Sequence, residues 1–327
     1  MTKRLNPRVT LVLAIVLSLG TILYVFYKLD WRSIEKTLAG AHWGWLALAL
    51  LVYIVNYILR GLRLQIINPI ENVPFVDLVA VNGLYGMYNY LLPAKTGELS
   101  YIVLVNRRLR LSLVESTASL LVTRYLDFAS IALILPFVLV YYYKTLPAWL
   151  LYSSIVFCVA VLAVTVGLYW FVRPRPERPA ESAAPRGKWL GRIWKVLAEL
   201  QKGMAAVYQR KEQWRLLILT IVIWLCINAN FYLIVLSLGY QLNYFQIIVI
   251  SIIMIPMTLL PFQGFANLGT HEIGWVAAFS IFGQPENVAL NVAFSSHVIL
   301  LLFVLFLGAC SFLIMSLVKA PPSVEKI

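Results

Sequence analysis

Six ionisable residues interrupt otherwise apolar stretches of this 327-residue chain: Lys95, Glu98, Arg124, Asp127, His271 and Glu272. Charges at membrane depth are expensive, so each of them invites a functional reading. Lys95 lies in the stretch "LLPAKTGE" at 91–98 with no acid next to it, and a lysine there suits contact with a phosphate. Arg124 and Asp127 stand three apart, on one helix face. Glu98 can pair with Arg124, or Lys95 with Asp127. His271 can titrate near neutral pH or serve as a plain polar cavity residue. The structural alternative is that Glu98 and Glu272 hold helix N-termini while Arg124 and Asp127 bolt neighbouring segments together.

The elements that position these residues must be membrane helices. Of the chain 61% is hydrophobic and only 13% charged, against about 25% charged in a soluble domain. Apolar runs near 9–27, 43–62, 118–143, 147–172, 214–238 and 287–316 approach the length of a bilayer crossing. Two more apolar regions, 75–105 and 243–283, are broken by Pro, Gly and polar residues. The run 9–27 follows Lys3, Arg4 and Arg8 and reads as a retained helix, because no small-residue cleavage site follows it. Cys158, Cys226 and Cys310 sit singly in apolar runs, and the three histidines are scattered, so neither a metal nor another cofactor is expected.

The formal charge of +13 is explained by sidedness rather than by nucleic acid. With six spans and the N-terminus inside, the cytoplasmic parts are 1–8, the flanks Arg60 and Arg63, "NRRLR" at 106–110, the loop 173–215 and the tail. They hold 21 of the 27 Lys and Arg. This is the positive-inside pattern, with both termini in the cytoplasm. It requires 75–105 and 243–283 each to return to the side they entered from. Region 173–213 reads as a Pro-rich linker and then a basic amphipathic helix, lying on the leaflet or packed on the protein's own cytoplasmic face.

The two broken regions echo each other. Leu91-Leu92-Pro93 precedes Thr96-Gly97-Glu98, and Leu259-Leu260-Pro261 precedes Thr270-His271-Glu272. Repeats at 43–143 and 214–316 therefore follow one order: span, re-entrant hairpin, span. They run with opposite topology, as in many secondary transporters. Pro93 and Pro261 stop the entering helices. Gly97, Gly264 and Gly269 allow turns and close backbone approach. Thr96 and Thr270 are expected to cap the exiting half-helices. Such tips are tolerated only against protein or a water-filled cleft, where the helix N-termini can hold an anion. Asn82, Asn89, Asn228, Asn230 and Gln263 are candidate lining groups. His297 is expected to hydrogen-bond a neighbouring helix. The fold expected is an all-α polytopic membrane protein with about six spanning helices, two re-entrant hairpins and an inverted repeat.

At these residues the chain resembles the lysylphosphatidylglycerol synthase transmembrane-region, or flippase-like, family. The first signature is carried by Pro93, Gly97, Glu98, Arg124 and Asp127, the second by Pro261, Gly264, Gly269 and Glu272. The resemblance implies an inner-membrane protein that moves, or helps to move, an aminoacylated, glycosylated or phosphate-bearing lipid between leaflets. No soluble aminoacyl-transferase domain follows the membrane part, so synthesis of lysylphosphatidylglycerol is not expected. Lysine at 95, near a position where the family often has arginine, keeps charge but loses the planar fork. The site expected on these grounds joins Lys95, Thr96, Gly97, Glu98, Arg124, Asp127, Gly269, Thr270, His271 and Glu272.

Three classes of function compete. A lipid flippase or scramblase fits the repeat and its two tips. An intramembrane enzyme would need a catalytic cluster, and the chain has no DxD, HExxH or GxSxG, so no enzyme is expected. An accessory subunit for a glycosyltransferase or lipid synthase could dock its partner through 173–215. The sequence leaves the oligomeric state open.

Overall fold

The computed structural model describes residues 26–71, 73–93, 96–172, 211–259 and 265–318, with scattered positions in 20–24 and 198–208. Among the described residues the elements are α1 (Trp31–Ala39), α2 (Trp43–Ile67), α3 (Phe75–Leu91), α4 (Gly97–Leu109), α5 (Leu113–Tyr142), α6 (Ala148–Val172), α7 (Gln213–Ser237), α8 (Tyr244–Leu259), a 3-10 turn at Phe265–Asn267, α9 (Thr270–Ile281) and α10 (Glu286–Leu317). Five of them, α2, α5, α6, α7 and α10, are long and apolar enough to cross a membrane. The chain is an all-α, multi-pass membrane protein. The expected span 9–27 and the linker from 173 fall largely outside the described residues.

Local chemistry sets the helix ends. α5 starts at a capping box, in which the Ser112 hydroxyl accepts from the Glu115 N–H and the Glu115 carboxylate from the Ser112 N–H. Asp30 caps α1 by accepting from the N–H groups of Arg32 and Ser33. α3 and α10 follow Pro74 and Pro285, whose fixed φ suits a helix start. The elements inside the two broken regions are short. α3 has 17 residues, α4 13, α8 16 and α9 12. At about 1.5 Å per residue each falls short of the roughly 30 Å hydrocarbon thickness.

Helices α2 and α7 pack along each other at the centre. α3 lies between α2, α4 and α10, and α9 between α8 and α10. α5 touches α4, α7 and α8, while α6 leans on α5. One apolar core, including Leu64, Val81, Tyr101 and Val105, joins α2, α3 and α4. A second, including Val235, Ile247, Trp275 and Val292, joins α7 to α10. At the described positions of the expected amphipathic helix, the Gln201 amide donates to the Phe171 carbonyl and Met204 packs on Ile67, Val122, Leu126 and Leu216. These contacts are to the protein's own helices.

Arg108, counted with the cytoplasmic run 106–110, is buried. Its guanidinium reaches Asp77 at 2.8 Å and the carbonyls of Met315 and Val318 at 3.3 and 2.6 Å. It thereby ties the start of α3 and the end of α4 to the end of α10.

Candidate functional site

A cavity of about 260 Å³ opens between the middle stretches of α2, α5, α7 and α10 and the C-terminal end of α3. Its polar wall on α2 is a helical stripe: Tyr53, Asn56, Tyr57 and Arg60 recur at spacings of three and four. α3 adds Tyr85, Asn89 and Tyr90, and α5 adds Arg124 and Asp127. α7 supplies Trp224 and Asn230, and the 3-10 turn supplies Asn267.

Four charges form a chain beside this space. Glu98 meets Arg124 at 2.9 Å, Arg124 meets Asp127 at 3.4 Å, and Asp127 meets Arg63 at 2.6 Å. Arg124 also donates to the Tyr85 hydroxyl, and Arg63 to Thr220 at 3.4 Å. The expected pairing of Glu98 with Arg124 is present. The acid Asp127 is shared by two arginines, one of which, Arg63, the sequence reading left among the cytoplasmic flanks. Arg63 is only 3% exposed.

Arg60 completes the set. Its Nε donates to Asn56 at 2.8 Å, and its guanidinium lies 5.2 Å from the Tyr57 ring centroid. No salt bridge to Arg60 occurs among the described residues. Arg60, Arg63 and Arg124 against Glu98 and Asp127 leave one positive charge in excess. Among the described residues, four that line the cavity carry a buried polar atom without a hydrogen-bond partner: Asn89 Oδ1, Tyr90 Oη, Arg124 Nε and Trp224 Nε1. Such atoms are rare in a finished interior and are natural points for water or a polar ligand.

The first tip is closed by Gly97. A Cβ built there would stand 2.3 Å from Asn89 Cα and 2.6 Å from the Tyr88 oxygen, so α4 starts hard against the end of α3. Gly97→Ala must push these backbones apart beneath the cavity residues Asn89 and Tyr90. Overpacking of this kind costs about 1–3 kcal/mol. A lowered midpoint in detergent unfolding, with unchanged oligomeric profile, is the expected result. An unchanged midpoint would mean that the tip gives way freely.

The two threonines do not act as sequence chemistry suggests. Thr96 stands at the cap position of α4 in helical φ/ψ, and its hydroxyl donates back to the Pro93 carbonyl at 2.7 Å. Thr270 is already inside α9, and its hydroxyl donates to the Asn267 carbonyl at 3.0 Å. The cap position of α9 is Gly269, at φ 83°. Its N–H donates to Glu272 at 2.7 Å. In both threonines the hydroxyl turns to a preceding carbonyl instead of a helix N–H.

The second tip gathers His271, Glu272 and His297. Glu272 is fully buried, 2.6 Å from His297 Nδ1 and 3.9 Å from His271 Nδ1. The histidines are far apart in sequence, and α9 and α10 bring these two ring centroids to 4.7 Å. Three such donors could hold an ion. Tetrahedral zinc ligands at about 2.0 Å from the metal stand about 3.3 Å from one another. The 2.6 Å contact between Glu272 and His297 is instead a hydrogen bond.

Of the expected site residues, Arg124 and Asp127 line the cavity, Glu98 is bonded to Arg124, and His271 and Glu272 lie with His297 behind Asn267. Lys95, Pro261, Gly264 and Gln263 lie outside the described residues. Asn89 and Asn230 line the cavity, while Asn82 and Asn228 bond the carbonyls of Leu78 and Trp224 on their own helices. Arg60, Tyr85 and Tyr90 were not picked out from sequence, although the polar stripe on α2 was there to read.

No curated protein matches the chain. The family model described as the lysylphosphatidylglycerol synthase TM region matches residues 11–308, a range that takes in both broken regions and every cavity residue. The chain belongs to that family.

Proposed function

We propose that this protein moves a lipid with an anionic, phosphate-bearing head group between the leaflets of the inner membrane, and that it does so without chemistry on the lipid. The observation that carries the reading is the cavity: surplus positive charge and unpaired polar atoms, walled by the long apolar helices α2, α5, α7 and α10 together with the short α3. Arg60, whose partners are an amide and a ring, offers its remaining donors to a phosphate oxygen. Arg124 offers Nε, which has no partner. Membership of the family fits work on lipids.

In this reading α3–α4 and α8–α9 are re-entrant hairpins, entering from opposite faces. Their short helices favour return over crossing. The order α2 to α5 matches α7 to α10 in kind and length, at 25, 17, 13 and 30 residues against 25, 16, 12 and 32. The two sets form an inverted repeat with both termini in the cytoplasm, and the head group sits between them. The acyl chains stay outside. An apolar groove of about 490 Å³ lies on the other face of α5, lined by Ala129, Leu133, Val161 and Leu162 among others. α5 thus divides a polar chamber from a surface suited to hydrocarbon.

The test is head-group translocation in proteoliposomes, read with a fluorescent phosphatidylglycerol and a quencher confined to one side. Arg60→Ala is expected to slow movement by about tenfold to a hundredfold, the worth of one charged hydrogen bond. Arg60→Lys should keep part of the rate, and Arg60→Glu should be slowest. Lys95→Glu, on sequence grounds, should fall with it. Wild-type rates in Arg60→Glu protein would remove the cavity from the pathway.

A further inference from the structure

His297 is ringed by acceptors. Its Nε2 lies 2.8 Å from the Ala266 carbonyl oxygen, which can only accept, so Nε2 carries a hydrogen. Its Nδ1 lies 2.6 Å from Glu272 Oε1. A bare Nδ1 would set a lone pair against a carboxylate oxygen in a buried place. One proton therefore lies between Nδ1 and Oε1, whether drawn as imidazolium–carboxylate or as imidazole–carboxylic acid. The other carboxylate oxygen accepts from the Gly269 N–H. His271 is fixed differently. Its Nε2 accepts from the Trp275 indole N–H at 3.2 Å, so its hydrogen sits on Nδ1, buried and unpartnered on the Glu272 side.

The turn that His297 and Glu272 grip is strained. Ala266 and Asn267 have φ of 52° and 59°, the left-handed region that non-glycine residues avoid, followed by Gly269 at 83°. Asn267 faces the cavity. If the bridging proton leaves, His297 keeps one ring hydrogen for two acceptors. It then holds either Glu272 or Ala266, and one grip on the turn is lost.

We propose that Glu272 and His297 form a binding site for a single proton, and that loss of this proton to solvent unlatches the 266–269 turn in the cavity wall, linking proton release to head-group movement. The linkage rests on the translocation reading above, whereas the proton site does not. The surroundings isolate the pair. From α3, Tyr90 sets its ring edge-on to His297 at 5.7 Å, with its hydroxyl unpartnered. From α7, the apolar Phe231 covers His271. From α8, Ile247, Ile250 and Ile253 pack in the same core as Trp275. Among the described residues Glu272 has no ion-pair partner other than the two histidines.

Two measurements test the proposal on the full chain. The first uses protein with 15N in the histidine rings, purified in detergent, in a His42→Gln background that leaves His271 and His297. Near neutral pH, His297 should show hydrogen on Nε2 and a bridging proton at Nδ1, while His271 should be neutral with hydrogen on Nδ1. An Nδ1 on His297 that neither carries a hydrogen nor accepts one from Glu272 overturns the site, as does a stoichiometric metal bound through Glu272 and His297. The second measures translocation of the fluorescent phosphatidylglycerol between about pH 6 and pH 9. Wild-type movement should quicken by about tenfold as pH rises, following loss of the proton. His297→Gln, whose amide offers two N–H groups and does not titrate, should be slow throughout, and Glu272→Gln should show no pH dependence. If neither variant stays monodisperse, the wild-type profile decides the linkage. A flat wild-type profile overturns the linkage. A bridging proton without lipid movement at any pH sinks the translocation reading and leaves the proton site standing.

Discussion

Asp127→Ala is expected to destabilise the protein by about 3–5 kcal/mol, because it strands buried positive charge. Both carboxylate oxygens are engaged, Oδ1 by Arg63 at 2.6 Å and Oδ2 by Arg124 at 3.4 Å. Arg124 keeps Glu98 and Tyr85. Among the described residues Arg63 then keeps only a 3.4 Å contact to Thr220, and it is almost sealed from solvent. The loss therefore falls mainly on Arg63. Arg63→Met placed on the Asp127→Ala background should recover a large part of it, since the unpaired charge is then gone. Arg124→Met on the same background should recover much less. The readout is the unfolding midpoint in detergent for the four proteins, with size-exclusion profiles. Equal recovery from the two arginine changes would show that Asp127 is held by the whole network and not by Arg63.

Arg108→Ala should have a similar effect, about 3–5 kcal/mol, for a different reason. It leaves Asp77, 0% exposed, without its cation, and it releases two carbonyls at the end of α10. The native pair is itself incomplete: Asp77 Oδ2 and Arg108 Nε have no hydrogen-bond partner. An ion pair satisfied on one side only repays little of its desolvation. Replacing both members by apolar residues of similar size, Asp77→Leu with Arg108→Met, should therefore bring stability back near wild type. Translocation should survive in that double variant, because neither residue lines the cavity. A double variant as unstable as Arg108→Ala would mean that the ties to Met315 and Val318, and not the ion pair, hold this corner together.

The spanning helices were legible because hydrophobic length is a local property. Expected spans at 43–62, 118–143, 147–172, 214–238 and 287–316 meet helices that differ from them by a few residues at each end. The breaks in 75–105 and 243–283 were legible from Pro93, Gly97 and Gly269. What could not be read was the fate of a charge near a helix end. Arg63 and Arg108 fit the sidedness rule wherever their heads go, because snorkelling to water and pairing inside the bundle look alike in one dimension. Asp77 was passed over for the same reason, as an acid in the first turn of α3. Contacts between distant segments were equally hidden: nothing in the sequence says that His297 on α10 meets Glu272 on α9. The threonine caps failed because residue type gives only what a hydroxyl is able to do. Where it turns depends on the nearest free carbonyl.

Helix α6 has a consequence of another kind. Of its 25 residues only Leu150, Ser154 and Val172 are buried, and its specific ties to α5 among the described residues are few: Tyr125 to Thr165, Cys158 to the Ala132 carbonyl, and the Phe157 ring edge-on to Phe128. In a bilayer its exposed apolar residues would meet acyl chains, which accept any apolar shape. Helix α2 faces the opposite demand, since its polar stripe has to match fixed partners. The two helices therefore answer to different selectors. Substitutions that exchange one aliphatic residue for another should accumulate freely along α6 and be purged along α2, so that a helix central to the hydropathy profile is nearly empty of information about the fold.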